Sequence, residues 1–412
     1  MSDVYKLTLE LNGLITYLDR LSEDLVKTNL QTYWPNFEKV AFALYDEHDV
    51  YLFNHPKYKN GRENNYHYLK WDDQFVGCTL ILYEDYPTAI VDMNFFDNYD
   101  ELYATLIHEL FHGYQYIQGE TRFPDETKGV TFPLSKENIQ LRNEEREFLY
   151  KAILENDLNK KKDYVKSFIS IREKRAGQIA DYLLYEKRME TVEGPAWYVE
   201  LKAYIESSGL EAETVIQKYG ENLMDPYDST LNIRQSCYSS GLAICLLLDS
   251  LLPHWKEGGW EREETLYDQL KEIAGTLESI IDVKISSETE KVIHFVTDKR
   301  KNKLKSFEQQ EGFHVFIEGK IWGKTIDHMN IVSIENKALH EHFIKVKISD
   351  KDYLISQPVI AYYEDRLQNI NKLHLILENK PGENSQSIVI DGLGEINGQY
   401  EKREDTLYLY VE

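Results

Sequence analysis

Thr105-Leu106-Ile107-His108-Glu109-Leu110-Phe111-His112-Gly113 is the stretch on which the reading of the fold turns. His108 and His112 are four residues apart, so on a helix both imidazoles share one face, one turn apart, and can grip a single metal ion. Glu109 then lies beside the metal, where it can take a proton from a bound water. Zinc in such a setting lowers the pKa of that water toward ~7 and polarises a carbonyl. Leu102, Leu106, Leu110 and Tyr114 make an apolar stripe that includes neither histidine. The helix is therefore expected to pack by one face and present the histidines on another. Asp97 or Asn98 should cap it, and it should run to about Ile117.

Upstream, Leu7, Leu11, Leu14, Leu18, Leu21 and Leu25 recur at helical spacing. Residues 39–45, 49–54, 77–84 and 88–93 read as short strands, rich in β-branched and aromatic residues and separated by turn residues. Downstream, residues 135–206 are helical and highly charged, with Gly194-Pro195 as the strong punctuation near the end. Further helices are expected over 241–252, stopped by Pro253, and over 263–281. Beyond 282 the period changes to two: Ile344, Val346 and Ile348; Leu373, Leu375 and Leu377; Leu407, Leu409 and Val411. The basic run from Lys299 to Lys305 reads as a solvated linker. These patterns predict an α+β chain of two domains. Residues 1–282 form a small mixed sheet, a metal-binding helix and a helical lobe, and residues 283–412 form a β-rich accessory domain.

Two histidines leave a catalytic zinc short of a ligand, since such sites use three protein ligands and a water. At this point the chain resembles the zincin metallopeptidases. The metzincin branch needs a histidine six residues after His112 and a glycine three after it; Gln118 and Gln115 stand there. The thermolysin-like branch has only a partial echo in Asn143-Glu144-Glu145-Arg146. Glu193-Gly194-Pro195-Ala196-Trp197-Tyr198 is similar to the Glu-Gly-x-Ala-x-Tyr segment of gluzincin-like families, whose glutamate is the third ligand. The resemblance thus implies a zincin-like fold, a zinc cofactor, His108, His112 and Glu193 as ligands, and Glu109 as general base. Glu190, then Glu144 or Glu145, remain alternative ligands. Gly194 and Ala196 are expected to let their helix approach the metal helix, with Glu190 available to a histidine N–H. Tyr238, in a Tyr-x-x-Gly-x-Ala segment, is the candidate donor to the negative charge that develops on a carbonyl oxygen, with Tyr198 second. Residues 88–93 are expected to be an exposed edge strand to which an extended peptide adds.

The chain has 412 residues, 42% of them hydrophobic, and a net charge of -24. So acidic a surface repels phosphates, so neither nucleic acid nor an anionic membrane is expected as a partner; the charge names no substrate, and the resemblance implies a peptide or protein. No run reaches the ~18 apolar residues that span a bilayer. No basic segment followed by an apolar one opens the chain, and Cys78, Cys237 and Cys245 make no disulfide framework, so a cytoplasmic location is expected. His340-Glu341-His342 could offer two imidazoles on one strand face but has no evident third ligand. Two other readings fit the same residues: a zinc-binding scaffold, or a zinc amidase or esterase that does not act on peptides.

Overall fold

In the first strands, Phe42, Leu44, Phe53, Ala89 and Val91 belong to one buried cluster, and their alternating neighbours Ala43, Leu52 and Ile90 to another. A period of two with apolar residues at both phases makes a sheet covered on both faces. The computed structural model describes residues 17–58, 65–257, 260, 263–275, 282–403 and 406–412. Its contacts divide the chain into two units, Met1–Pro124 with Leu141–Asp282, and Asp125–Gln140 with Val283–Glu412. The architecture is mixed α/β: an N-terminal sheet, a helical region and a C-terminal β-rich region.

In the first unit, helix α1 (17–27) buries Leu18, Leu21 and Leu25; Leu7, Leu11 and Leu14 lie outside the described residues. The sheet comprises β1 (Ala41–Tyr45), β2 (Asp49–Phe53), β3 (His67–Lys70), β4 (Thr79–Tyr83) and β5 (Tyr86–Asp92), in the order β3-β2-β1-β5-β4. Strands β1 and β5 are parallel and the other pairs antiparallel. This corrects the edge-strand expectation: β5 is hydrogen-bonded to β1 on one side and β4 on the other, and β4 is the edge. A near-continuous apolar run marks a strand buried on both faces, and Asp92, which interrupts it, instead caps the next turn by accepting from Asn94 N–H. Strand β3, short and half-exposed, carries too little apolar signal to be read from sequence.

Helix α2 (Tyr99–Ile117) starts where Asn98 accepts a hydrogen bond from Glu101 N–H, as N-cap chemistry requires. It packs against β5 on one side and a later helix on the other, so its histidine face is covered too. Helix α3 (Glu126–Val130) and the start of α4 (Lys136–Leu154) belong to the other unit, and the rest of α4 and then α5 (Leu158–Ser208) to this one. The last is two helical halves joined at Ile179 (φ −134°, ψ 40°). It does not end near Gly194-Pro195. Proline already holds a helical φ, and an added Cβ on Gly194 would stand 2.6 Å from the Gly241 backbone, so the glycine serves a close helix crossing. Helices α6 (Ala212–Gly220), α7 (Pro226–Leu231), α8 (Ile233–Leu251) and α9 (Leu266–Ala274) complete this unit. Gly241 lies on α8, so it is the crossing of α5 with α8 that needs Gly194, while α5 also packs on α2 as expected. The helix expected to reach 281 stops at Ala274; 276–281 lie outside the described residues.

In the second unit, Lys299 to Lys305 is no linker but part of α10 (Ser287–Glu308), whose buried residues include Val292, Val296, Leu304 and Phe307. Then come β6 (Phe313–Ile326), β7 (Ile331–Ile334), β8 (Lys337–His340), β9 (Ile344–Ile348), β10 (Lys351–Ile355), β11 (Val359–Tyr363) and β12 (Asn369–Leu377). After these follow β13 (Gly382–Asn384), β14 (Ser387–Ile390), β15 (Gly394–Asn397), β16 (Gln399–Arg403) and β17 (Thr406–Tyr410). A nine-stranded sheet packs its apolar side against the three-stranded β13-β14-β15 sheet through residues such as Val315, Leu375, Ile388 and Ile396. Among the described residues, no helix of either unit is long and apolar enough to cross a membrane.

Candidate metal centre

Helix α2 supplies His108 and His112, and α5 supplies Glu193. The distances are 3.0 Å from His112 Nε2 to His108 Nε2, 3.1 Å from His112 Nε2 to Glu193 Oε2, and 3.5 Å from His108 Nε2 to Glu193 Oε2. Donors at ~2.0–2.1 Å from a tetrahedral zinc stand about 3.3 Å from each other, so this triangle has the size such an ion requires. Among the described residues it is the set of three potential ligands that converges.

The outer nitrogens fix the tautomers. His108 Nδ1 lies 2.9 Å from Glu200 Oε2; a carboxylate can only accept, so Nδ1 carries the hydrogen and the Nε2 lone pair faces the centre. His112 Nδ1 lies 2.7 Å from Gln115 Oε1, while Gln115 Nε2 donates to the Val192 carbonyl at 2.8 Å. The amide orientation is thereby set, and His112 Nε2 is likewise turned inward as an acceptor. With both imidazoles neutral, three acceptor atoms within 3.5 Å of one another repel unless a metal cation or a proton lies among them. Without an ion there, a proton takes that place. Burial opposes charge on His108, yet its hydrogen bonds to Glu193 and Glu200 prevail and push its pKa up to about 10. Burial also opposes charge on Glu193, yet His112, His108 and Arg234 hold its pKa well below the usual carboxylate range.

Glu109 is 6% exposed, and its Oε2 has no hydrogen-bond partner among the described residues. Burial raises its pKa, and the two histidines pull it back. A buried carboxylate oxygen left unpaired beside a donor triangle fits a group that meets a water or a substrate proton. Tyr238, on α8, stacks near His108 with ring centroids 6.1 Å apart at 18°. Burial, and then Glu193, push its phenol pKa up, so it is a neutral hydrogen-bond donor.

The other candidates lie elsewhere. Glu190 is bound by Arg172 at 2.6 and 2.8 Å and by Ser240 at 2.6 Å, so it supports no histidine. Glu145 pairs with Arg172 and Arg175, and neither Glu144 nor Glu145 joins the converging group. Tyr198 donates to Asp249 at 2.5 Å, away from the centre. His342 Nδ1 pairs with Asp327 at 3.1 Å, and among the described residues His340 and His342 form no three-ligand group. Sequence reasoning missed Glu200, Gln115 and Arg234. Glu200 has one discoverable signal: it follows Glu193 by seven residues, two turns on the same helix face. A separate pocket lined by Trp34, Trp255 and Trp260 with Thr191 and Pro195 shares no residue with the candidate metal group.

No protein-family model, no curated protein and no solved structure matches this chain.

Proposed function

We propose that the protein is a zinc-dependent metallopeptidase of the zincin type, hydrolysing amide bonds in peptides. The carrying observation is the donor triangle of His108, His112 and Glu193, whose histidine tautomers are fixed from behind by Glu200 and Gln115. Zinc held there would supply Lewis acidity toward a carbonyl oxygen and acidify a water. Glu109, with its unpaired Oε2, takes a proton from the attacking water and delivers it to the leaving amine. Tyr238 donates its phenolic hydrogen to the carbonyl oxygen as negative charge builds. The edge strand β4, Thr79-Leu80-Ile81-Leu82-Tyr83, bears no charge, and among the described residues no strand pairs its outer side. Uncharged, unpaired edges invite a further strand, so an extended peptide adding to β4 is the substrate geometry we favour, in place of one adding to β5.

The test is metal analysis together with digestion of unstructured peptides. Protein purified without chelator should carry about one zinc per chain, as expected of a three-ligand site, and should cleave peptides. Full metal content in a His108→Ala, His112→Ala double variant would put the metal elsewhere. Cleavage of small acyl esters alone would favour a non-peptidase hydrolase, and zinc without hydrolysis of either substrate would favour a scaffold.

A further inference from the structure

Arg234 opens the first turn of α8 and reaches two members of the centre at once. One terminal nitrogen donates to Glu193 Oε1 at 2.9 Å. The other donates to the Tyr238 hydroxyl, one helical turn further along α8. Glu193 is thereby divided between two duties. Its Oε1 is engaged by the guanidinium, and its Oε2 faces His112 and His108. A carboxylate gripped by one oxygen cannot swing to offer both to a metal, so it is set to bind through Oε2 alone. The phenol is set in the same way. Its oxygen accepts from Arg234, so its own hydrogen must point away from the guanidinium and remains available to another acceptor.

We infer that Arg234 is a positioning residue of the centre, whose planar fork fixes Glu193 as a one-oxygen ligand and Tyr238 as a hydrogen-bond donor. This rests on the zinc reading above. A planar fork holds two acceptors in fixed directions from one rigid group, whereas an ammonium, though it can reach two acceptors as Lys256 reaches Tyr198 and Asp249, is a point charge on a flexible stem and does not fix their directions. The alternative role is plain charge neutralisation of a buried carboxylate, and a lysine would meet that need as well as an arginine. The two roles therefore separate by experiment.

Zinc affinity, measured by competition with a chromophoric chelator, reads the Glu193 half without any substrate. Arg234→Ala should weaken zinc by about 10- to 100-fold, the range for removing a group that orients a ligand. Added guanidinium ion should restore part of that affinity, and added methylammonium should not. Arg234→Lys, which keeps the charge and so guards against loss of the fold, should still bind zinc about tenfold more weakly than the native protein. Tyr238→Phe should leave zinc affinity unchanged. The second half is read by acetohydroxamate, whose oxygens bind zinc and accept hydrogen bonds. Tyr238→Phe should weaken acetohydroxamate binding to the zinc protein in the native background but have little further effect in Arg234→Lys. Native zinc affinity in folded Arg234→Lys, or equal rescue of Arg234→Ala by methylammonium, would overturn the inference while leaving the metallopeptidase reading intact. Absence of zinc binding in the native protein would overturn both.

Discussion

At the scale of single residues, the proposed centre is defined by what stands behind each candidate ligand. A histidine ligand is useful only in the tautomer that turns its lone pair inward, and here Glu200 and Gln115 impose that tautomer on His108 and His112. Glu200→Ala or Gln115→Ala should each weaken zinc by about 10- to 100-fold with the fold intact; native affinity in both would mean that the tautomers are fixed some other way. The roles of the glutamates separate similarly. Glu109→Gln should keep zinc and lose hydrolysis, whereas Glu193→Gln should weaken zinc, and the opposite pattern would show the two exchanged. The His108, Glu109, His112 trio was legible because helical spacing is a local property. Glu200 and Arg234 were not. The charged helix α5 carries many glutamates, and only packing decides that Glu193 and Glu200 turn toward α2 while Glu186 and Glu190 turn toward buried arginines.

At the scale of elements, α4, α5 and α8 are joined by a buried ionic cluster. Arg142 and Arg175 bind Glu186, Arg172 and Arg175 bind Glu145, and Arg172 binds Glu190. The Glu190 carboxylate accepts in turn from Ser240 of α8 at 2.6 Å. Burial alone would raise the Glu186 pKa, but Arg175, Arg142 and Arg172 push it down to about 2. A folded pKa below the ordinary ~4.3 means that the unfolded chain binds more protons. The contribution is therefore complete above about pH 5 and is lost as pH falls toward 2. Denaturant unfolding should lose stability over that window. Glu186→Gln should be less stable at pH 7 by roughly 3–5 kcal/mol, because it leaves buried guanidinium groups uncompensated, and its acid slope should be shallower. An unchanged slope would mean that this pairing is not what titrates. The Gly194–Gly241 crossing makes a second demand. A methyl on Gly194 meets backbone at 2.6–2.9 Å, which cannot rotate aside, so Gly194→Ala should cost about 1–3 kcal/mol and, being next to Glu193, should also weaken zinc. The sequence offered Gly194 as a small contact residue but pointed to the helix of His108 and His112, whereas its partner Gly241 lies on a helix further along the chain.

At the scale of the whole molecule, every residue of the proposed centre belongs to the unit made of Met1–Pro124 and Leu141–Asp282. The β-rich character of the C-terminal region was legible, because an alternating sheet pattern differs from a helical one over tens of residues, but its strands begin at Phe313, after helix α10, and not near residue 282. The assignment of Asp125–Gln140 to the other unit was not legible, because its partners are distant in sequence. Gln140 accepts from Thr289 at 2.7 Å across a separation of 149 residues, and Lys136 pairs with Glu290 at 2.5 Å. These contacts tie Asp125–Gln140 to Val283–Glu412 without involving the donor triangle. A chain ending at Asp282 should therefore bind zinc with native affinity, since the ligands and the groups that orient them are all retained. It should also be cut preferentially within residues 125–140 by a protease at low concentration, because that segment has lost the rest of its unit while Met1–Pro124 and Leu141–Asp282 keep theirs. Chelator competition measures the first outcome, and mass spectrometry of the fragments the second. A truncated protein with native helical circular dichroism but no zinc affinity would mean that residues beyond 282 complete the site. A truncated protein resistant within 125–140 would mean that this segment does not depend on residues 283–412 for its packing.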